Sequence, residues 1–172
     1  MDALPDFELV RPQTLDALIA ARAAHPQSSL LGGGTDLIVN IRRGIVAPNV
    51  LIETNGVKEL HAILANAQEL AIGAAVTLTE LAAHPDVVHH YPAVAQAGGH
   101  IAGPTQRHMG TVGGNLCLDT RCIFYNQSEW WRDANRHCLK TTGTVCHVAP
   151  PAGTGVVWTC LTPFGSPVEP DV

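Results

Sequence analysis

Residues 30–37, LLGGGTDL, decide the fold, because a short apolar run leads through three glycines into a helical segment. The pattern predicts a strand at 29–31 and a glycine turn at 32–34. A helix is predicted over 36–43, and Gly44 ends it. A backbone that turns sharply between a strand and a helix needs residues without a β-carbon, which explains the glycine triplet.

The segments on either side complete a βαβ unit. An extended entry at 7–10 precedes a helix at 15–25, which Thr14 can cap through its side-chain oxygen. The apolar run NVLIE at 49–53 reads as another strand. Strands that alternate with helices in this way predict a small parallel sheet.

From about residue 56 the predicted pattern of secondary structure changes. Residues 62–65 and 69–72 predict a hairpin, and a short helix follows Thr77 or Thr79 and is closed by Pro85. A helix beginning at 92–97 is expected to end or break at Gly98 and Gly99. The fold class predicted is therefore α+β, with a small βαβ lobe and a second lobe that has a mainly antiparallel sheet.

The bulk composition excludes several function classes. The 172 residues include 46% hydrophobic and 15% charged side chains, with a net charge of −5, so we expect a packed core and no nucleic-acid surface. No apolar run approaches the roughly 20 residues of a membrane-spanning helix. The acidic start MDALPDFELV does not resemble a secretory signal. We therefore expect a cytoplasmic protein without membrane or nucleic-acid partners.

A second glycine-rich stretch, GTVGGN at 110–115, repeats the chemistry of the first. Consecutive backbone N–H groups without obstructing side chains form nests that bind phosphate. Two such nests, with polar groups from Thr35, Thr111 and Asn115, suit the length of a dinucleotide. Neither stretch has the P-loop or Rossmann spacing. Tight turns that require positive φ are the alternative interpretation, and it stays open at this point.

Three stretches together carry a resemblance to a known family: LLGGGTDLI, IGAAVTLTEL and AGGHIAGPTQRHMGTVGGNLC. In this order and spacing they resemble the FAD-binding subunits of the molybdenum hydroxylases, over about residues 5–148. The resemblance implies the two-lobed FAD-binding fold of that family, with the flavin held between the lobes. It implies that FAD is bound by a set of fifteen residues, namely Ser29, Leu30, Leu31, Gly32, Gly33, Gly34, Thr35, Asp36, Ile101, Thr111, Val112, Gly113, Gly114, Asn115 and Asp119.

The five cysteines all lie in the last third of the chain, at Cys117, Cys122, Cys138, Cys146 and Cys160. Clustered cysteines in a chain without an export signal favour metal or redox chemistry over a disulfide scaffold. The spacing includes no C-x2-C pair, and buried thiols in a loop are the alternative. The segment 117–146 has no persistent helical or strand period, although its aromatic residues indicate that it is packed rather than disordered.

The insertion CLDTRCIFYNQSEWWR is similar to that of 4-hydroxybenzoyl-CoA reductase β subunits. This resemblance implies a 4Fe–4S cluster on Cys122, Cys138 and Cys146, with Cys117 not a ligand. The family's fourth cysteine position lies near Gly155, where this chain has none, and Cys160 is the candidate that remains. The resemblance also implies partner subunits that carry molybdopterin and 2Fe–2S clusters, and ferredoxin as the electron donor.

These implications predict an electron-transfer flavoprotein subunit of a molybdenum oxidoreductase, with no catalytic residue in this chain. The reaction implied is reductive dehydroxylation of 4-hydroxybenzoyl-CoA. The alternatives are the flavin subunit of an ordinary molybdenum hydroxylase, such as xanthine or carbon monoxide dehydrogenase, and a non-enzymatic zinc-stabilised binding module.

The domain organisation expected is one subdomain at 1–55, a second at 56–149 that includes the insertion, and an atypical tail at 150–172. The tail is rich in proline and has no periodic apolar pattern. We expect it to be non-native sequence of a truncated or frame-shifted product, with the family's C-terminal domain missing.

Overall fold

The computed structural model of the chain describes residues 4–119 and 122–148. The chain divides into two compact units. Of the described residues, the first contains 4–5, 39–47, 118–119 and 122–148, and the second contains 6–38 and 48–117. This division follows spatial contacts, and the subdomain boundary near residue 55 stays a prediction.

The second unit begins with the parallel sheet that the glycine motif predicts. Strand β1 is Glu8–Val10, β2 is Ser29–Leu31 and β3 is Val50–Glu53. Their order is β1-β3-β2, with Leu9 and Ser29 both paired to Leu51. Leu51 and Ile52 point to opposite faces of the central strand, and both are fully buried. The predicted βαβ arrangement is confirmed.

Helices α1 (Leu15–Ala24) and α2 (Leu37–Arg42) belong to this βαβ arrangement. Thr14 is the N-cap of α1 and accepts a hydrogen bond from the Ala17 N–H, as predicted. Gly44 has a φ of 63° just after α2, which is the left-handed conformation expected of a glycine that ends a helix.

The rest of the second unit surrounds an apolar core. Strands β4 (Ile63–Ala65) and β5 (Leu70–Ile72) form the predicted antiparallel hairpin. Five helices follow: α3 (Leu78–Ala83), α4 (Pro85–His90), α5 (Pro92–His100), α6 (Pro104–Met109) and α7 (Val112–Leu116). The core cluster comprises Val76, Leu78, Leu81, Val87, Ala95 and Val112, and the hairpin packs against it.

Two helix boundaries differ from the prediction. Helix α5 continues through Gly98 and Gly99 instead of ending there. A β-carbon on Gly98 would lie 3.5 Å from Leu81 Cδ2 and 3.6 Å from the Leu78 carbonyl oxygen. Gly98 therefore serves close packing of α5 on α3, a tertiary requirement that overrides its low helix propensity. Pro85 begins α4 as well as following α3, because the first helical turn tolerates a residue without an N–H.

The first unit is built around the cysteine-bearing insertion. It contains helix α8 (Glu129–Ala134), which the sequence pattern did not predict. Arg132 on this helix is 2% exposed. Its guanidinium donates hydrogen bonds to the carbonyl oxygens of Tyr125, Gln127 and Gly44 and pairs with the Glu129 carboxylate. A buried cation thus ties the insertion to the end of α2.

Among the described residues, no helix is long and apolar enough to cross a lipid bilayer.

Candidate functional site

The two glycine loops lie in direct contact within the second unit. A β-carbon on Gly33 would lie 1.6 Å from the Met109 carbonyl oxygen, and one on Gly32 would lie 2.6 Å from Thr111 Oγ1. At Gly33 the obstacle is backbone, so no side chain fits there; at Gly32 the Thr111 hydroxyl, which caps α7, would have to move. Gly32 and Gly33 are therefore required for close approach of the loops, as well as for the turn that follows β2.

The third motif, at 72–81, holds the second loop in place. The N–H groups of Val112 and Gly113 donate to the carbonyl oxygens of Val76 (2.8 Å) and Ala74 (2.9 Å). Thr77 and Thr111 form an antiparallel bridge at the same point. The three stretches that carry the family resemblance are therefore adjacent in space, although they are separate in the sequence.

Helix α3 starts from this motif with a capping box. The Thr77 N–H and hydroxyl donate to the Glu80 carboxylate, each at 2.8 Å, and the Glu80 N–H donates to Thr77 Oγ1 at 3.2 Å. The hydrogen bond from the Thr77 backbone, then that from its hydroxyl, holds the pKa of Glu80 below its ordinary value. The Glu80 carboxylate therefore anchors Thr77, the residue that forms the backbone bridge with Thr111.

The two loops differ in the hydrogen-bond donors that they offer. In the described part of the chain, no backbone carbonyl accepts from the N–H groups of Gly33, Gly34 or Thr35. Gly34 has a φ of 69°, a conformation that favours glycine. Successive N–H groups without backbone partners are what a phosphate-binding nest requires. The binding role of the first loop stays a prediction.

The second loop offers fewer free N–H donors than the two-nest interpretation expects, and its contact with FAD stays a prediction. The N–H groups of Val112 and Gly113 are used in pairing with the third motif. The Gly114 N–H donates to Thr111 Oγ1 at 3.1 Å, because Thr111 is the N-cap of α7. Thr111 is 3% exposed, so its hydroxyl is part of the fold. The second loop mainly holds the first loop in place and offers few free hydrogen-bond donors of its own.

Two residues that sequence reasoning missed hold the first loop from β3. The Thr54 N–H donates to the Leu31 carbonyl at 2.9 Å, and its hydroxyl donates to the same oxygen at 3.2 Å. The Asn55 side-chain amide donates to the Gly32 carbonyl at 3.4 Å. The sequence did carry a signal for them, because Thr54 and Asn55 are a polar pair directly after the apolar strand β3. The carboxyl ends of neighbouring parallel strands lie at the same edge of a sheet, so this pair is expected beside the loop that follows β2.

Ile101 and Asp119, the two predicted site residues that lie outside the glycine loops, have different surroundings. Ile101 is half-buried and packs against the core cluster that contains Val112 of the second loop. Asp119 belongs to the first unit, where its carboxylate forms an ion pair with Lys140 at 2.5 Å. Its predicted contact with FAD stays a prediction.

The candidate cluster ligands lie in the first unit. Cys138 is buried, Cys122 and Cys146 are half-buried, and Cys117 is exposed. Cys160 lies outside the described residues. Within 4–119 and 122–148, no three His, Cys, Asp or Glu side chains form a group that would bind a metal. The described side chains alone do not form an iron–sulfur site.

The chain was compared with known families, and the region that matches includes both glycine loops. Residues 5–162 match the family described as the FAD binding domain in molybdopterin dehydrogenase. The chain belongs to this family. The match continues to residue 162, beyond the expected end of the likeness near residue 148. Membership agrees with the α+β fold and favours the flavin interpretations over the zinc-stabilised module.

Curated relatives and solved structures agree with this assignment. The FAD-subunit of nicotinate dehydrogenase from Eubacterium barkeri is 32% identical over 66% of the chain and 39% of that protein. A putative xanthine dehydrogenase FAD-binding subunit from Escherichia coli is 37% identical over 62% of the chain and 37% of that protein. Quinoline 2-oxidoreductase from Pseudomonas putida has a TM-score of 0.64 and 30% identity, over 67% of the chain and 40% of that structure's chain.

The chain therefore spans about two fifths of the length of these relatives.

Proposed function

We propose that this chain binds FAD with its first glycine loop and carries electrons as the flavin segment of a molybdenum hydroxylase. The type proposed is that of xanthine, nicotinate and carbon monoxide dehydrogenases. Family membership over residues 5–162 supports the cofactor. The observation that carries the proposal is the contact between the two loops, which leaves the N–H groups of Gly33, Gly34 and Thr35 without backbone acceptors.

The residues present fit the cofactor. The donors of the first loop would hold the pyrophosphate, since backbone N–H groups at a glycine turn bind phosphate oxygens without desolvating a cation. Thr111, Val112 and Gly113 would keep the second loop in position through bonds to the third motif. Bound FAD would supply the chemistry itself, because a flavin accepts and donates one or two electrons. The protein contributes orientation and exclusion of water.

The proposed partners are a molybdopterin-binding subunit and a 2Fe–2S subunit. The support is that several relatives are named as FAD-binding subunits or medium chains of such dehydrogenases. Because the chain spans only part of those relatives, the substrate and the direction of electron flow belong to the assembled enzyme.

Titration of the purified chain with FAD tests the cofactor proposal. Bound flavin is followed by its visible absorbance and by its fluorescence, which changes when protein surrounds the ring. We expect saturable, stoichiometric binding that Gly33→Ala weakens more than tenfold and Gly99→Ala leaves intact. Absence of saturable binding in the unmodified chain would show that these loops are only structural turns.

The narrower assignment, 4-hydroxybenzoyl-CoA reductase, is a second candidate. The similarity of the insertion favours it, with Cys122, Cys138, Cys146 and Cys160 as 4Fe–4S ligands, a cytoplasmic location and ferredoxin as donor. Anaerobic reconstitution with iron and sulfide tests it. Four iron atoms per chain, reduced by Cys138→Ser and unchanged by Cys117→Ser, would support the assignment. Iron at background in a chain that binds FAD would leave the insertion a structural element.

A further inference from the structure

The turn between α5 and α6 holds a backbone conformation that its sequence does not favour. Ala102 has a φ of 51°, in the left-handed region where a β-carbon crowds the carbonyl oxygen. Its side chain is exposed, so no side-chain packing compensates the strain. Such residues persist only where their surroundings impose the conformation, and they concentrate at functional sites.

Arg107 imposes this conformation from α6. One guanidinium nitrogen, Nη1, donates to the Ala102 carbonyl oxygen at 2.7 Å and to the Ile101 carbonyl oxygen at 3.2 Å. Two consecutive carbonyls that converge on one cation are held in a single relative orientation. Arg107 is half-buried; its bond to the Ile101 carbonyl is partly buried, and its bond to the Ala102 carbonyl is exposed.

The turn is connected to both glycine loops. Ile101 packs on the cluster that includes Val112 of the second loop. Helix α6 ends at Met109, whose carbonyl oxygen lies against Gly33 of the first loop. Arg107 therefore joins a strained turn to helix α6, whose C-terminal end touches the first loop. A change at this side chain reaches the proposed flavin site without touching a loop residue.

We propose that Arg107 is a positioning residue that fixes the turn at Ile101 and Ala102 in its flavin-binding conformation before FAD arrives. The inference rests on the proposed function. A loop already ordered in the free protein loses less conformational entropy on binding than a mobile one, so affinity is higher. Arg107 would act through the backbone carbonyls that it holds and need not contact the cofactor.

The test compares FAD affinity and the visible circular dichroism of bound flavin in a matched set of variants. Arg107→Met keeps the apolar stem and the helix propensity but removes the donors. We expect at least a tenfold weaker Kd and an altered flavin dichroism. Arg107→Lys should recover part of both, because an ammonium can still donate to the two carbonyls. His108→Gln, an exposed neighbour on α6, should match the unmodified chain.

A second pair of variants leaves Arg107 in place. Ala102→Val opposes the left-handed backbone and should weaken FAD binding in the same direction, whereas Ala102→Gly should not. This pair keeps the inference testable if Arg107→Met does not fold. Equal affinity and equal dichroism in the unmodified chain, Arg107→Met and Ala102→Val would overturn it.

Amide hydrogen exchange without FAD separates this inference from the proposed function. We expect Arg107→Met to speed exchange at residues 101–103 while His108→Gln does not. Unchanged exchange would refute the positioning role whether or not FAD binds. Faster exchange in a chain that binds no FAD would confirm that Arg107 orders the turn but reject both its flavin role and the proposed function.

Discussion

The carbonyl oxygen of Met109 lies only 1.6 Å from the point where a β-carbon on Gly33 would stand. The two residues come from different glycine-rich stretches of the sequence, and their contact brings those stretches together. Because the obstacle is backbone and not a flexible side chain, it cannot move aside without displacing the end of α6. Gly33 is thus the most constrained position of the candidate site.

Gly33→Ala should separate the two loops. We expect a loss of stability of about 2 kcal/mol, typical of overpacking, together with more than tenfold weaker FAD binding. Gly99→Ala is the matched control, because a β-carbon there meets only Ala82 Cβ at 3.9 Å. In a helix that change should stabilise by about 0.5–1 kcal/mol. Thermal unfolding and FAD titration measure both effects, and equal behaviour of the two variants would contradict the contact.

Thr111→Val should weaken the second loop while keeping its shape. The hydroxyl accepts the Gly114 N–H at the start of α7 and is buried, so its loss should cost about 1 kcal/mol. Thr111→Ser keeps the oxygen and should lose less. Chemical denaturation of the three proteins gives the comparison. A serine variant as unstable as the valine variant would mean that the methyl group, and not the cap, matters here.

Acid should weaken the capping box of α3. Because the folded-state pKa of Glu80 is lowered from 4.5 by Thr77, its stabilisation is fully present above about pH 4.5. It is lost as the pH falls through the lowered value. Thr77→Ala removes the cause and should cost about 1 kcal/mol at neutral pH. The difference in unfolding free energy between the two proteins should shrink below pH 4.5, and a constant difference would contradict this account.

Arg132→Met should destabilise the insertion. The change leaves the carbonyls of Tyr125, Gln127 and Gly44 without this donor, and buried groups left unsatisfied cost about 1–3 kcal/mol each. We expect a total loss of about 3 kcal/mol, seen as early protease cleavage within 118–148. Arg43→Gln changes an exposed arginine nearby and should leave the cleavage pattern as it is. If both variants resist protease equally, Arg132 is not the anchor.

Local elements were predictable because their causes are local. The cap at Thr14, the hairpin at 62–72 and the glycine after α2 each depend on residues within a turn of one another. The βαβ sheet was predictable for the same reason, since its apolar strands are separated by clear turn signals. The three motifs of the candidate site were recognised through their resemblance, in order and spacing, to a known family.

The predictions that were incomplete concern groups brought together by distant parts of the chain. Gly98 reads as a helix breaker, yet it lies inside α5 because α3 packs close to it. The second loop reads as a phosphate nest, yet its N–H groups pair with Val76 and Ala74. Helix α8 has too short an apolar pattern to be recognised, and a buried arginine stabilises it.

The sequence by itself determined which residues have the conformational freedom and the hydrogen-bonding groups that the site needs, because glycine turns and caps are local properties. Only the tertiary structure decided which donors remain for a ligand. The reason is that each backbone N–H has a single proton to donate, and the approach of another segment decides whether protein or ligand receives it. In this chain, pairing with the third motif uses the N–H donors of Val112 and Gly113. Among the described residues, the N–H groups of Gly33, Gly34 and Thr35 in the first loop have no backbone acceptor.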